Sequence, residues 1–304
     1  SALFKSYYSK LRFLMIKKHD LKKACCFDIE CYPNFFAVGF KELDTGIRSV
    51  FRIWGDSDNR LSTINDIDKL IHFLLYKVKR LIGYNNHAYD DVLINFLLME
   101  RDRLIGGDPI RICEELKQLS DKAILVQNER KTGAEQLIRK YKRCTYFPTT
   151  DLFLLFNKIE RISLKQMAVN LKWPNIIDLP YHHNTYLTYD QMEKVTEYLD
   201  NDVDITEAVL SNQIDEIKLR YDIFKRTKID VTNSCRTDIA KMVLMHHLVD
   251  KSGLSKKEIN KGRTFYNSIA LRDCIEPRIK FITKEGKRLL EHIKKTIIDS
   301  NIIE

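Results

Sequence analysis

At 304 residues the chain can bury a sizeable core, and its length fits one large domain or two smaller ones. Hydrophobic residues make up 44% of it and charged residues 31%, with only 10 Gly and 6 Pro, which excludes a disordered, collagenous or fibrous chain. A formal charge of +9 and a pI near 9.0 favour an anionic partner, with nucleic acid first, because Lys and Arg that meet phosphates release condensed counterions.

The first stretch, 1–23, is basic: Lys5, Lys10, Arg12, Lys17, Lys18, Lys22 and Lys23 face Asp20 alone. It reads either as a solvated tail or as a phosphate contact. The seven cysteines are odd in number and hold no C-x-x-C pair, so reduced thiols are expected rather than a disulfide framework. No run of 18 apolar residues appears, and the first residues given do not show the apolar stretch and small-residue cleavage site of a secretory leader. The expectation is a soluble protein without a membrane partner, placed in the cytoplasm, or in the host cell cytoplasm if phage-encoded.

From residue 24 the pattern changes. ACCFDIE (24–30) is apolar up to an acidic end, and NFFAVGFK (34–41) and IRSVFRIW (47–54) are aromatic and β-branched, with breaks at Pro33 and Asp44-Thr45-Gly46. This spacing predicts three strands in an antiparallel meander. Ser62 or Thr63 can cap a helix whose apolar positions Ile67, Leu70, Ile71, Leu74, Leu75 and Val78 recur at helical spacing. A short buried strand at 81–84 and a helix over about 88–100 follow.

Residues 101–149, rich in charge and broken at Gly106-Gly107-Asp108-Pro109 and Lys131-Thr132-Gly133, read as an insertion that could hold a hairpin. Helices are predicted to begin at Asp151 and at Ser163. The longest helix begins at Thr188, where Thr188 and Gln191 have the spacing of a capping box, and runs to about Arg220. Beyond it lies a mainly helical C-terminal extension, 221–304. The whole is a mixed α/β architecture, a sheet flanked by helices.

Three acidic groups stand out along this order. In Asp28-Ile29-Glu30 the period-2 geometry of a strand sends both carboxylates to one face, where they can clamp a cation. In Gly83-Tyr84-Asn85-Asn86-His87-Ala88-Tyr89-Asp90, at a strand-to-helix junction, Asn85 can hydrogen-bond a nucleotide, Tyr89 can pack on a sugar or base, and Asp90 can face the same point. In Tyr198-Leu199-Asp200-Asn201-Asp202, the i, i+4 pair Tyr198 and Asp202 shares one helix face. Each group alone is common as a solvated edge, a helix cap or a helix surface. Together they suit phosphodiester cleavage, for which two hard cations about 3.5–4 Å apart and several carboxylates are a recurring solution.

The three groups occur in the order and contexts of the DEDD superfamily of 3′→5′ exonucleases, which has a ribonuclease H-like fold. FDIE resembles the first motif, YNNHAYD the second and YLDND the third in its Y-x-x-x-D form. More narrowly, 24–213 is similar to the proofreading domain of bacteriophage-type family B DNA polymerases, and DLFLLFNKIERISLKQMAVNLKW resembles the stretch between their second and third motifs. The resemblance implies an exonuclease domain over 24–220 and two divalent cations, Mg²⁺ or Mn²⁺. Asp28 would bridge them, Glu30 and Asp202 complete one site, Asp90 serve the other, and Tyr198 orient the nucleophile. Glu197 stands where the histidine branch has its base, so the chain reads as the tyrosine branch.

The implied substrate is the 3′ end of single-stranded DNA. RNA and a non-catalytic nucleic-acid-binding module are the alternatives. A polymerase module or other replication proteins are the implied partners. After residue 220 no D-x-x-S-L-Y-P-like motif and no D-T-D-like pair appears, so the chain itself is not expected to synthesise DNA.

Overall fold

The computed structural model describes residues 24–56, 63–128, 135–142, 146–155, 162–261 and 268–299. The basic segment 1–23 lies outside the described residues. Two compact units divide between Val243 and Leu244.

The first unit is built on a six-stranded mixed sheet. Its strands are β1 (Ala24–Tyr32), β2 (Phe35–Glu42), β3 (Arg48–Gly55), β4 (Thr63–Asn65), β5 (Arg80–Gly83) and β6 (Thr149–Asp151), in the spatial order β4-β3-β2-β1-β5-β6. β1 to β4 pair antiparallel in sequence, while β5 joins β1 and β6 joins β5 in parallel. The meander expected from the three aromatic runs is present, and the strand β1 that carries Asp28 and Glu30 is interior.

Alternation along β1 divides the core in two. Cys25, Phe27, Ile29 and Cys31 pack on one side with helices α1 (Ile67–Tyr76), α2 (Asp90–Met99) and α4 (Pro109–Asn128). Ala24, Cys26 and Tyr32 pack on the other with Met192, Val195, Leu199 and Val203 of α7 (Tyr189–Asn212). Each such buried aliphatic or aromatic side chain contributes about 1.5–3 kcal/mol on leaving water. The even-numbered residues Asp28 and Glu30 therefore belong to the α7 side of the sheet.

Several local expectations change. Thr63 does not cap a helix: 63–65 pair with the edge of β3, Trp54 opposite Ile64, and α1 starts after Asp66. Ser62 lies outside the described residues. The insertion is helical where described, with α3 (Arg101–Leu104), α4 and α5 (Glu135–Lys142), and the gap at 129–134 carries no description. Asp151 ends strand β6 instead of starting a helix, and a 3₁₀ turn, Leu152–Leu155, follows it.

Ser163 and Thr188 do cap α6 (Leu164–Asn170) and α7, each with a reciprocal capping box to Gln166 and Gln191. The long helix breaks at Gln213, and α8 (Ile214–Thr227) follows.

Helix α9 (Arg236–Ser252) ends before Gly253, whose φ of +68° suits glycine. In the second unit lie α10 (Lys256–Lys261), β7 (Ser268–Ala270), α11 (Leu271–Cys274), α12 (Lys284–Lys295) and β8 (Ile297–Asp299). β7 and β8 pair antiparallel. Among the described residues of this unit none is buried. No described helix of the chain is long and apolar enough to cross a membrane.

Candidate functional site

Helix α7 delivers its acids to two different places. Asp200, Asp204 and Glu207 face outward and fasten the helix to the sheet: Lys41 Nζ reaches Asp204 at 2.8 Å and Glu207 at 2.6 Å, and Arg48 pairs with Asp204. Arg52 adds a 2.7 Å bridge to Glu193. Tyr198 and Asp202 are both 7% exposed and turn toward the sheet, with Leu199 and Val203 packed between neighbouring turns. Glu197 is exposed.

The approach of α7 to β1 is set by Gly39, which stands opposite Asp28 in the β1–β2 register. A Cβ there would lie 3.2 Å from Leu199 Cγ and 3.2 Å from Val203 Cγ2. A methyl there would press Leu199 and Val203 back by a few tenths of an ångström, so glycine favours the close seating of the helix.

The second motif is a tight connection between β5 and α2. At Gly83 a Cβ would lie 2.8 Å from Asn86 Cβ and 2.9 Å from Phe27. Asn85 adopts the left-handed region, φ 61°, which Asn tolerates better than most side chains. Asp91 is bound by Asn86 Nδ2 at 2.9 Å and by Thr149 Oγ1 at 2.8 Å. Asp90, 6% exposed in the first turn of α2, has no such side-chain partner among the described residues. Tyr89 is half-buried against the α2 side of the core and shares a 2.7 Å hydrogen bond with Ser120 of α4.

These segments, distant in sequence, meet electrostatically. Burial raises the carboxyl of Asp28 well above its ordinary range, and Asp202 raises it further. Glu30 is raised by burial, then by Asp28 and Asp202. Asp90 is raised by burial, then by Asp28 and Asp91. Asp202 is pushed up to about 6 by burial, with the Tyr198 phenol and Lys165 opposing the rise. Burial and the neighbouring acids also raise the Tyr198 phenol, which therefore stays protonated. All four acids and the tyrosine that the sequence singles out thus belong to one cluster beside interior strand β1.

Among the described residues, no three or more His, Cys, Asp or Glu side chains are already drawn into metal-ligating distance. The cluster nonetheless fits hard divalent cations by its chemistry: its donors are carboxylate oxygens, with no thiolate or imidazole among them. Buried acids that repel one another are also stabilised by added positive charge.

Three residues not singled out by sequence shape the site. Lys165 of α6 lies with Nζ 5.7 Å from the Tyr198 ring centroid, lowers the carboxyl pKa of both Glu30 and Asp202, and pairs with Asp178 at 2.9 Å. Asp151, 1% exposed, accepts backbone N–H groups from Asn85 at 2.8 Å, His87 at 3.2 Å and Phe153 at 3.0 Å, so one carboxylate holds the second-motif loop. Asn233 donates to Thr149 O and accepts from Asp151 N, both at 2.9 Å, and so pairs with β6 as a further strand would. A buried acid at the end of a strand-like run was the available signal for Asp151. Lys165 and Asn233 had none.

Compared with protein-family models, curated proteins and solved structures, the chain matches none.

Proposed function

We propose that the chain is a metal-dependent 3′→5′ exonuclease of the DEDD tyrosine branch that hydrolyses single-stranded DNA to nucleoside 5′-monophosphates. The observation that carries this reading is the electrostatic coupling of Asp28, Glu30, Asp90 and Asp202, which come from three motifs in the order that superfamily has. The mixed sheet with its acids on an interior strand is compatible with the ribonuclease H-like fold these motifs imply.

Asp28, Glu30 and Asp202 would hold one cation, and Asp28 with Asp90 the other. When bound, two Mg²⁺ or Mn²⁺ ions activate the attacking water and offset charge on the leaving oxygen. The chain's own groups supply orientation. Tyr198, kept protonated, acts as a hydrogen-bond donor toward the water or the scissile phosphate and not as a base. Lys165 brings a positive charge that acts on both Glu30 and Asp202, where an anionic phosphate would enter. Asn85 is a candidate for contact with the terminal nucleotide. Tyr89 can offer a ring face to a base or sugar while its hydroxyl stays with Ser120.

Digestion of matched single-stranded DNA and RNA in Mg²⁺, Mn²⁺ and chelator tests the reading. It predicts metal-dependent shortening of DNA from the 3′ end. Shortening of RNA alone would move the assignment to an exoribonuclease, and tight binding without shortening to a non-catalytic module. A polymerase module or other replication proteins as partners remain part of this proposal, carried by the motif resemblance.

A further inference from the structure

The second unit holds much of the chain's positive charge: from Leu244 on there are thirteen Lys and Arg against eight Asp and Glu, a net of +5 of the total +9. Helix α12 concentrates it. Lys284, Lys287, Arg288, His292 and Lys295 line one open, shallow cleft in which Glu291 is the single acid. Glu291 is engaged by Lys294, Nζ to Oε1 3.3 Å. Among the described residues, no carboxylate pairs with Lys284, Lys287, Arg288 or Lys295.

The spacing is that of one helix face, since 287, 288, 291 and 295 fall three, four, seven and eleven residues after 284. At 1.5 Å per residue the run rises about 16 Å, over which one strand of a duplex places about five phosphates. The apolar side of α12 turns elsewhere. Leu290 and Ile293 are half-buried, and Phe281 lies so near Gly286 that a Cβ there would sit 2.8 Å from it. Leu289 is the one exposed apolar side chain of the helix. A helix that inserts in a lipid surface needs a free apolar face as well as a charged one; within α12 that face is Leu289 alone, with Phe281 and Ile282 exposed just before it.

We propose that the Lys284, Lys287, Arg288 and Lys295 face of α12 is a sequence-independent docking surface for a nucleic-acid phosphate backbone. The choice of nucleic acid among polyanions rests on the exonuclease reading of the acid cluster. The surface itself is argued from its unpaired charge and spacing.

The test is binding of a fluorescently labelled single strand by the full chain in EDTA, so that hydrolysis plays no part, across a series of salt concentrations. In the combined variant K284E/K287E/R288E/K295E the slope of log affinity against log salt should become shallower by about 3, at ~0.7 per lost phosphate contact, with affinity at least about tenfold weaker. The quartet K284Q/K287Q/R288Q/K295Q, which keeps helix-forming side chains, should show the same shallower slope with an unchanged far-ultraviolet circular dichroism spectrum. An unchanged slope and affinity in the folded Gln quartet overturns the proposal, as does capture by phosphatidylserine vesicles in preference to the strand. Because no turnover is read, failure of the chain to degrade DNA in Mg²⁺ would count against the exonuclease reading alone.

Discussion

Gly39 and Leu199 lie in close approach: a methyl built on Gly39 would sit 3.2 Å from Leu199 Cγ, tight enough that the helix side chain must give by a few tenths of an ångström. The same residue is the register partner of Asp28, and Leu199 lies between Tyr198 and Asp202, so the contact sets the distance between two halves of the acid cluster. Gly39→Ala should cost about 1–3 kcal/mol through overpacking. The accommodating shift of α7, a few tenths of an ångström, should lower single-turnover hydrolysis by less than the ~10²-fold that a misplacement of about 1 Å costs. Urea unfolding and quench-flow measurements check the two effects, and an unchanged rate would show that α7 does not set the site.

Asp151 fixes the loop that carries Asn85 and leads to Asp90 through two backbone N–H groups, those of Asn85 and His87, and accepts a third from Phe153. Asp151→Asn replaces one accepting oxygen by a donor and should cost about 1–3 kcal/mol for the orphaned N–H groups. Turnover should fall while KM for the strand stays near its original value, and the Mg²⁺ concentration for half-maximal rate should rise. Asn233→Ala, which removes the strand-like pairing to β6, should act in the same direction and more weakly. A Mg²⁺ titration that does not shift in either variant would confine both residues to stability.

Lys165 is the cation that acts on Glu30 and Asp202 together. Lys165→Met should reduce the rate by about 10²-fold, as loss of a positioned charge does in other phosphoryl and acyl transfers, with Lys165→Arg recovering part of it. Tyr198→Phe should have a similar effect through loss of its donor. Steady-state rates at saturating metal compare the variants. Equal rates for Met, Arg and Lys at this position would exclude a role in the reaction.

Glu216 reports on acid stability away from the site. Arg236 and then Arg220 hold its carboxyl below the usual glutamate range, against the opposing effect of burial. Arg220 is 2% exposed and also donates to Ser234 O at 2.8 Å. A carboxyl lowered in the folded chain contributes its full stability above its ordinary pKa of about 4.3 and loses it as pH falls through the lower, folded value. Glu216→Gln, which strands the buried Arg220 charge, should destabilise by about 3 kcal/mol at neutral pH. The difference from the parent chain should shrink in urea titrations carried below about pH 4. A difference independent of pH would contradict the ion-pair account.

The elements with regular patterns were legible before the structure. β1 to β3 announce themselves by β-branched and aromatic runs, and Thr188 with Gln191 marks the start of α7. Thr63 misled because a three-residue edge strand carries no periodicity of its own and is formed only by pairing with β3. Asp151 misled for the opposite reason: the apolar run after it suits a helix, but β5 offers a parallel edge that 149–151 occupies. In the site, the acids were singled out by residue type and by their resemblance to an ordered set of motifs, and the structure brings them within electrostatic reach of one another. Lys165, Asp151 and Asn233 were not, since their roles arise from contacts between segments far apart in sequence, with Asn233 82 residues beyond Asp151.

The acid cluster itself is tested most directly by following a doubly end-labelled single strand in Mg²⁺ with the parent chain and with Asp28→Ala. The parent should release the 3′ label first, as a nucleoside 5′-monophosphate, while the folded Asp28→Ala chain leaves the strand intact. Equal degradation by the two chains, or loss of the 5′ label first, would contradict the account.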